Sequence, residues 1–514
     1  MSLLSPHLDI VIIFICGINK TTRLLILTIP VIPLNLVLEN NHSKYYLNIA
    51  DAIRKAIEQG LVTPCELLPS ARKLAEQLQV NRHTIMAAYR ELIAQGWVES
   101  KLRKGYRVTK NLPIIQASHK KHSSSHETVS HNWQIIKKNN TAQKKSASQY
   151  QFNFAGGNPD ISLFPFNDFR SSMNTALNRP AIKDLNYGDN AGYPPFIKEV
   201  STYLRRVRSI NDKEIIVVNG TQEALYILSQ VLLTKGDKVA VESLGYRPAW
   251  NTFENTGAQL IEIKQTNQGI DVDHLESILK IHSIKLLYLT PLHQYPTTTT
   301  LPVSERMKIY RLAQQYNFAI IEDDYDHEFH YDTQPLAPIA ANDPAGLVIY
   351  ISSFSKLMFP AVRLGIMAVD KSLASHLINY RTLINHKANI LMQDAVARWM
   401  KEGAFERHLR KVTRVYQKRR ECMVHMLNEF KNQGMNIHFN TPPGGMALWV
   451  DVGFNAEKIA LKAQQQDIYI LAEKAFHLSA RNNLNKYLRL GFSGQSEEKI
   501  EQGLIKLKRI MLSL

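Results

Sequence analysis

Cysteine is scarce in this sequence. Only three of its 514 residues are cysteines, Cys16, Cys65 and Cys422, and no two of them form a CxxC pair. Single, widely spaced cysteines argue against a disulfide framework and against a zinc site. We therefore expect a protein of the reducing cytoplasm that holds no metal.

Long apolar runs are missing as well. Two apolar stretches in the first forty residues, 9–18 and 24–37, are interrupted by polar residues or by Pro30 and Pro33. Neither reaches the roughly 18–20 residues that a membrane span requires, and no secretory signal pattern is present. We interpret 1–41 as an N-terminal extension and expect no membrane partner. A membrane-tethered protein that uses 1–37 as its anchor is the alternative.

Acidic residues are too few to balance the basic ones. The chain has 45 aspartates and glutamates against 62 lysines and arginines, which leaves a formal net charge of +17. Such a surplus favours a polyanionic partner, either nucleic acid or an anionic membrane. A generally basic proteome would produce the same surplus, so charge alone leaves the partner open.

Residues 42–110 have the pattern of a small DNA-binding domain. Apolar residues recur at helical spacing in 45–57, and Gly60 ends that helix. Two short helical patterns follow, 70–78 and 82–94, with Ser70 and Asn81 as their predicted N-caps. Two strands, 97–100 and 106–109, are joined by a basic hairpin tip. Two short helices with a tight turn between them are typical of a helix-turn-helix.

The predicted DNA contacts lie near the helix starts and at the hairpin tip, where basic and polar side chains can reach phosphates and base edges. The alternative is a small helical domain whose basic face is only solvated. The predicted DNA-binding residues are Arg72, Arg82, His83, Thr84, Arg103 and Lys104.

The second half of the chain has a different pattern. Residues 111–151 are rich in Lys, His, Ser and Asn, and we interpret them as a basic linker. In 152–514, short apolar strands alternate with longer helical patterns, with strands predicted at 215–219, 238–242, 285–290, 318–323 and 348–352. This alternation predicts an α/β fold with a large, mainly parallel sheet, helices on both of its faces, and a smaller C-terminal α/β portion.

Four features of this half indicate one cofactor. Lys356 follows a predicted strand, where it could form an imine with an aldehyde cofactor. Asp323 and Tyr325, at another strand end, suit a pyridine nitrogen and a ring hydroxyl. Gly220-Thr221-Gln222 opens a helix whose free N–H groups could bind phosphate, and Arg363 could add a charge-assisted bond. Each feature taken alone has an ordinary structural explanation.

The quoted strings carry two family resemblances. LPSARKLAEQLQVNRHTIMAAYRELIAQGWVES closely resembles the GntR-type winged helix-turn-helix. NYGDNAGYPP, VVNGTQEAL, GDKVAVESLGY, LTPLHQYPT, IIEDDYDHEF, SSFSKLMFPAVRLG and YLRLGF resemble fold-type-I aminotransferases over 152–514. Both together resemble the MocR/PdxR branch of GntR regulators. Two positions depart from these families, since Cys65 and Thr298 stand where glycine is usual.

The resemblance implies pyridoxal 5'-phosphate (PLP) as the cofactor and a role for each matching residue. Lys356 would form the Schiff base, Asp323 would pair with the pyridine nitrogen, and Asp324 is the alternative for that role. Arg489 would grip the carboxylate of an amino-compound effector; a surface arginine on a strand is its alternative. The remaining cofactor contacts would be Tyr325 at O3′, Tyr246 stacked on the ring, and Thr221, Gln222, Ser353, Ser355, Arg363 and the partner subunit's Tyr187 around the phosphate.

Two functions remain open at this point. The first is a transcription regulator that binds double-stranded promoter DNA and senses PLP or an amino compound, as a head-to-tail homodimer. The second is a working aminotransferase that carries a DNA-binding domain. Both need Lys356 and Asp323, but only the first needs a helix that reads a DNA groove, so the winged helix favours the regulator.

Overall fold

The computed structural model describes residues 45–101, 105–113, 149–178, 190–479 and 485–514. The chain divides into two units, 1–139 and 140–514. Several predictions lie outside the described residues: the extension 1–41, most of the linker, the wing residues Arg103 and Lys104, and Tyr187.

The first unit is a three-helix domain with a two-stranded hairpin. Its elements are α1 (Tyr45–Glu58), α2 (Ala71–Leu78), α3 (Arg82–Ala94), β1 (Val98–Lys101) and β2 (Gly105–Val108). The predicted N-caps are confirmed, because the Ser70 side chain accepts from the Lys73 N–H and the Asn81 side chain accepts from the His83 N–H. The core of this unit contains the buried side chains Leu74, Ala75, Ile85, Ala88 and Leu92, and Leu78 packs against them partly exposed.

The second unit is built on a seven-stranded sheet, in the order β4-β12-β11-β10-β9-β5-β6. Its strands are β4 (Glu214–Val218), β5 (Lys238–Glu242), β6 (Gln259–Ile263), β9 (Leu286–Leu289), β10 (Ala319–Asp323), β11 (Val348–Ser353) and β12 (Gly365–Val369). All five predicted strands are present within one residue or two of their expected ends. The strands are parallel except β12, which runs antiparallel to both of its neighbours.

Helices cover both faces of this sheet. Successive residues of each strand point to opposite faces, so that Ile216 and Val218 join one apolar core while Ile215 and Val217 join the other. This is the burial expected of a sheet covered on both sides. The helices are α4 (Phe166–Asn178), α5 (Pro194–Arg208), α6 (Thr221–Leu232), α7 (Arg247–Glu254), α8 (Val272–Leu279), α9 (Val303–Tyr316), α10 (Lys371–Ile384), α11 (Ile390–Lys401) and α12 (Ala404–Asn432).

A smaller C-terminal lobe follows α12. Its four-stranded antiparallel sheet has the order β13-β14-β17-β16, with strands β13 (His438–Phe439), β14 (Ala447–Asp451), β16 (Leu471–Ala472) and β17 (Tyr487–Gly491). Helices α13 (Ala456–Gln465) and α14 (Glu497–Leu512) pack in the same lobe. The remaining short strands are β3 (Phe152–Asn153), β7 (Gln265–Thr266), β8 (Gly269–Ile270) and β15 (Ile468–Tyr469).

The first strand of the second unit belongs to this C-terminal lobe. β3 pairs in parallel with β15, and the Phe154 carbonyl then accepts a hydrogen bond of 2.8 Å from the Gly491 N–H at the end of β17. The chain therefore enters the second unit along strands that lie more than 300 residues later in the sequence.

The described residues contain neither a membrane-spanning helix nor a metal-binding cluster. Every helix there is too short or too polar to cross a membrane. No group of three or more His, Cys, Asp or Glu side chains within those ranges is arranged to hold a metal ion.

Candidate functional site

A cavity of about 300 Å³ lies at the carboxyl ends of the central strands, where ligands bind in open α/β sheets. Six of the residues that the sequence predicts for cofactor or effector meet there, although they are spread over nearly 270 positions of the chain. The lining residues are Gly156, Gly157, Asn158, Thr221, Tyr246, Tyr288, Thr290, Tyr295, Asp323, Tyr325, Lys356 and Arg489.

Asp323 reaches the cavity from the last position of β10. Its carboxylate is buried, and its Oδ2 accepts a hydrogen bond of 2.8 Å from the Tyr288 hydroxyl. Its Oδ1 is buried as well and has no hydrogen-bond partner among the described residues. Burial raises the pKa of Asp323 to about 7, against the opposing effect of the Tyr288 hydrogen bond. The carboxylate therefore has one oxygen held in place and one that lacks a donor.

Asp324, the alternative to Asp323, is engaged elsewhere. Its Oδ2 lies 2.7 Å from Nη2 of Arg208 and accepts a second hydrogen bond of 2.7 Å from the Tyr350 hydroxyl. Burial would raise its pKa, but the charge of Arg208 and the neighbouring His327 lower it to about 2. Asp324 does not line the cavity. The geometry therefore favours Asp323 for contact with a ligand.

Lys356 lies just beyond β11, with its Nζ 3.4 Å from Oδ1 of Asn158. Burial lowers the pKa of Lys356 to about 8, and the nearby positive charge of Arg489 acts in the same direction. An amine with a pKa close to neutrality is partly unprotonated, which is the form that attacks a carbonyl carbon. Lys356 therefore has the environment of a nucleophilic lysine.

The start of α6 contributes Thr221 to the lining of the cavity. Gly220 precedes it at φ +97°, and a Cβ there would lie 3.0 Å from Nη2 of Arg363, so only glycine fits under that guanidinium. Arg363 donates to the Asn219 carbonyl beside the helix start. A helix N-terminus with an adjacent arginine suits an anion.

Four of the predicted phosphate residues do not line the cavity, namely Gln222, Ser353, Ser355 and Arg363. The Gln222 amide points to α7, where it donates to Thr252 Oγ1 at 2.7 Å. The Ser353 hydroxyl donates to the Leu364 carbonyl at 3.4 Å and accepts from the Ser355 N–H at 3.1 Å. Their roles therefore stay predictions.

Arg489 is buried in the middle of β17, with 1% of its surface exposed. Its guanidinium carbon lies 4.7 Å from the ring centre of Tyr295, and in the described parts of the chain its Nε and Nη1 find no acceptor. The alternative prediction, that Arg489 is a surface arginine on a strand, is therefore wrong. A buried guanidinium without a carboxylate partner is a strong site for an anion.

Aromatic side chains enclose the cavity. Tyr295 contacts Tyr246 edge to face with 5.6 Å between ring centres, and the Tyr325 hydroxyl donates to the His293 carbonyl at 2.9 Å. Sequence reasoning missed Tyr288, Tyr295 and Asn158. The only local signal for Tyr288 is a polar hydroxyl within an otherwise aliphatic strand.

The two residues that stand where glycine was expected, Cys65 and Thr298, have positive φ angles. Cys65 has φ +68° and Thr298 has φ +62°, both in the left-handed region. Outside glycine this region costs roughly 1–2 kcal/mol. At Thr298 a 2.7 Å hydrogen bond from its N–H to the Gln294 carbonyl holds the turn. A backbone conformation that glycine adopts readily is therefore present at both positions in spite of the larger residue.

The candidate DNA surface lies at the starts of α2 and α3. Arg82 and His83 are exposed in the first turn of α3, and Thr84 is half-buried. Arg72 is exposed in the first turn of α2 and lies 3.5 Å from Glu76. The free side chains of α3 suit major-groove contacts, as predicted for the second helix of a helix-turn-helix.

Known proteins match both units. Residues 152–507 match the model of the family described as aminotransferase class I and II, and residues 45–108 match the model of bacterial regulatory proteins, gntR family. A solved structure, kynurenine aminotransferase from Pyrococcus horikoshii, is 28% identical with a TM-score of 0.66, and the match covers 71% of this chain and 92% of that one.

Two relatives match along nearly the whole chain. The probable rhizopine catabolism regulatory protein MocR of Rhizobium meliloti is 27% identical over 472 residues, which cover 90% of this chain and 93% of the relative. The transcriptional regulator TauR of Rhodobacter capsulatus is 26% identical over 478 residues, 89% of this chain and 96% of the relative. These matches confirm the predicted fold class and the resemblance to MocR-type regulators.

Proposed function

The chain belongs to the aminotransferase class I and II family and carries a gntR-family domain, and we propose that it is a PLP-dependent transcription regulator. Its first unit would bind promoter DNA, and its second unit would sense PLP or an amino compound. One observation carries the ligand half of this proposal. Lys356, the partnerless Oδ1 of Asp323 and the partnerless Nε and Nη1 of Arg489 line one cavity.

The residues of the cavity fit PLP, on which this family of folds depends. When bound, PLP supplies an aldehyde carbon that reacts with amines and a pyridine ring that withdraws electrons. Lys356 would hold the cofactor covalently through Nζ. Asp323 would use its free Oδ1 to keep a proton on the ring nitrogen, while Tyr288 holds its other oxygen. The N-terminus of α6 and Arg363 would bind the phosphate.

The chemical class of the effector can be inferred from Arg489, the remaining group of the cavity without a partner among the described residues. Arg489 would bind an anionic group of the effector, and the effector's amine would lie toward Lys356. Because Nε and Nη1 of its guanidinium have no acceptor among the described residues, an effector that lacks the anion would leave them unpaired. We therefore propose an amino compound that carries a carboxylate or a similar anion.

DNA binding would use the exposed side chains at the start of α3 and the hairpin tip. Arg82 and His83 would reach base edges, and the predicted wing residues Arg103 and Lys104 would contact phosphates. We further propose that the protein acts in the bacterial cytoplasm, where promoter DNA is found. A head-to-tail homodimer, in which Tyr187 completes the partner's cavity, would present two winged helices to two half-sites.

The test combines spectroscopy with DNA binding. Purified protein with PLP should absorb in the visible region, and adding an effector should change both this absorption and the affinity for DNA, since a ligand acts only by favouring one state. Candidate amines with and without a carboxylate are titrated in parallel. Ligands that change the absorption but never the DNA affinity would contradict the regulatory role.

The alternative is a working aminotransferase with an added domain. It is favoured by the cavity, because Lys356, Asp323 and Arg489 are all retained. The two functions separate when turnover is measured with an amino donor and a keto acid. Multiple turnovers at a rate typical of enzymes, together with no sequence-specific DNA binding, would support the alternative.

A further inference from the structure

The long helix α12 has a row of positive charges on its exposed face. Two of the five side chains are adjacent in sequence and the others follow at intervals of three or four residues, so they share one side of the helix. Together they surround a cleft of about 360 Å³. All five are exposed. They are Arg407, Arg410, Lys411, Arg414 and Lys418.

These charges differ from the other arginines of the same helix. Arg419 and Arg420 are buried and paired, with Asp160 at 2.7 Å and with Asp332. In the exposed row, Arg407 donates to the Glu402 carbonyl at 3.1 Å. Across the described residues, Arg410, Lys411, Arg414 and Lys418 form no ion pair. Four cations on one helix face therefore have no counter-charge.

The spacing of the row matches the phosphate backbone of DNA. The eleven positions from Arg407 to Lys418 span about 16 Å along a helix. One strand of B-DNA carries a phosphate every 3.4 Å of its axis, so it presents about five charges over the same distance. We propose that this face, the α12 basic row, is a second, sequence-independent contact to the backbone of the DNA that the winged helix reads.

The geometry of α12 favours DNA over an anionic membrane. A helix that binds a membrane surface must insert its apolar face between lipids. The apolar face of α12, which includes Phe405, Val412, Tyr416 and Met423, is buried in the core of the second unit. Only the charged face is accessible, and a rigid row of charges is suited to a regular polyanion.

The inference rests on the proposed DNA-binding function, because the winged helix brings the DNA to the chain. Contacts to phosphates add affinity for every sequence and make it more dependent on salt. The α12 basic row should therefore contribute to the salt dependence of the full-length protein without changing its preference among sequences.

The experiment neutralises the four unpaired charges and keeps Arg407, which caps α11. Glutamine replaces lysine and arginine at little cost in helix propensity. A matched control removes the same number of exposed charges from scattered sites on the second unit, so that both variants have the same net charge. The test variant is Arg410→Gln/Lys411→Gln/Arg414→Gln/Lys418→Gln, and the control is Lys235→Gln/Lys280→Gln/Lys371→Gln/Lys499→Gln.

Affinity is measured by fluorescence anisotropy with the full-length protein and a mixed-sequence duplex of about 60 base pairs, at several salt concentrations. Loss of four phosphate contacts lowers the slope of log affinity against log salt by about 3.6. The advantage of wild type over the test variant should then shrink about 150-fold between 50 and 200 mM salt. The control should behave like wild type. If the quadruple variant does not fold, the double variant Arg410→Gln/Arg414→Gln replaces it, with half the expected change in the slope of log affinity against log salt.

Each result has a definite meaning. Equal slopes for the test and control variants overturn the inference, while the proposed function stands if Arg82→Ala still weakens specific binding. If the wild-type protein binds no DNA, both the inference and the proposed function are wrong. If phosphatidylglycerol vesicles bind wild type but not the test variant, and DNA affinity is unchanged, the row binds membranes and the inference is wrong.

Discussion

Asp323 and Asp324 should respond in opposite directions to the same substitution. The two carboxylates are adjacent and both buried, and Oδ1 of each lacks a partner among the described residues. They differ because Asp324 is paired with Arg208 whereas Asp323 lines the cavity. We expect that, without cofactor, Asp323→Asn stabilises the second unit and Asp324→Asn destabilises it.

The gain in stability expected for Asp323→Asn follows from the raised pKa of Asp323. Raising that pKa from 3.8 to about 7 means that burial of the charged form costs about 4 kcal/mol above pH 7. Between pH 4 and 7 the folded state holds a proton that the unfolded state has lost, so stability falls as pH rises. Asparagine removes this cost, and the gain should be smaller at pH 5 than at pH 8 by roughly 2–3 kcal/mol.

The loss at Asp324 has the opposite cause. Its pKa is about 2 because the pair with Arg208 outweighs burial, so the charged form is stabilised above pH 4 and this contribution is lost as pH falls toward 2. Asparagine would leave the buried guanidinium of Arg208 without its counter-charge. Breaking a buried pair in this way costs about 3–5 kcal/mol.

The assay is urea unfolding of cofactor-free protein at pH 5 and pH 8, followed by the fluorescence of tryptophans in the second unit such as Trp250 and Trp399. A loss of stability in both variants, or a gain at Asp323→Asn that does not depend on pH, would refute the reasoning. With PLP added, Asp323→Asn should bind the cofactor more weakly than Asp324→Asn does.

Three further predictions concern other residues. Cys65→Gly should stabilise the first unit by about 0.5–1 kcal/mol, since glycine accepts φ +68° without strain; Cys65→Ala is the control in thermal unfolding and should bring no such gain. The rate of covalent PLP capture should rise as pH passes about 8, where the Lys356 amine loses its proton, and Lys356→Ala should abolish the adduct that borohydride reduces; mass spectrometry that finds another lysine labelled would contradict the assignment. Arg82→Ala should cost about 1–3 kcal/mol for the specific site if it makes a bidentate base contact, whereas Lys104→Ala should weaken all sequences alike and lower the salt slope by about one. Gel shifts over a salt series that show no change for either variant would rule out these contacts.

Elements with a local signal were predictable from the sequence. The helices of the first unit have caps and apolar spacing that can be read from a short stretch of sequence. The bounds predicted for α3 are therefore the observed ones, and Ser70 and Asn81 were correctly predicted as the N-caps of α2 and α3. The antiparallel direction of β12 was not predictable, because strand direction depends on which neighbours a strand meets and not on its own residues.

Side-chain roles were predictable only where a motif names them. Lys356 and Asp323 were predicted from their positions at strand ends and by resemblance, and Arg489 by resemblance alone. The structure brings the three together. The choice between Asp323 and Asp324 needed the position of Arg208, which lies 116 residues earlier in the chain. Tyr288 escaped notice for the same reason, since its hydroxyl becomes meaningful only when β9 lies beside β10.

The pairing of β3 with β15 has a mechanical consequence. The segment that leads from the DNA-binding half ends on the C-terminal lobe, and the Phe154 carbonyl is bonded to Gly491, two residues after Arg489. A displacement of β17 caused by an anion bound at Arg489 would therefore be transmitted directly to the residues at the end of the linker, because no loop lies between them and β17. The residues at the end of the linker and Arg489 are thus joined through the backbone hydrogen bonds of one lobe.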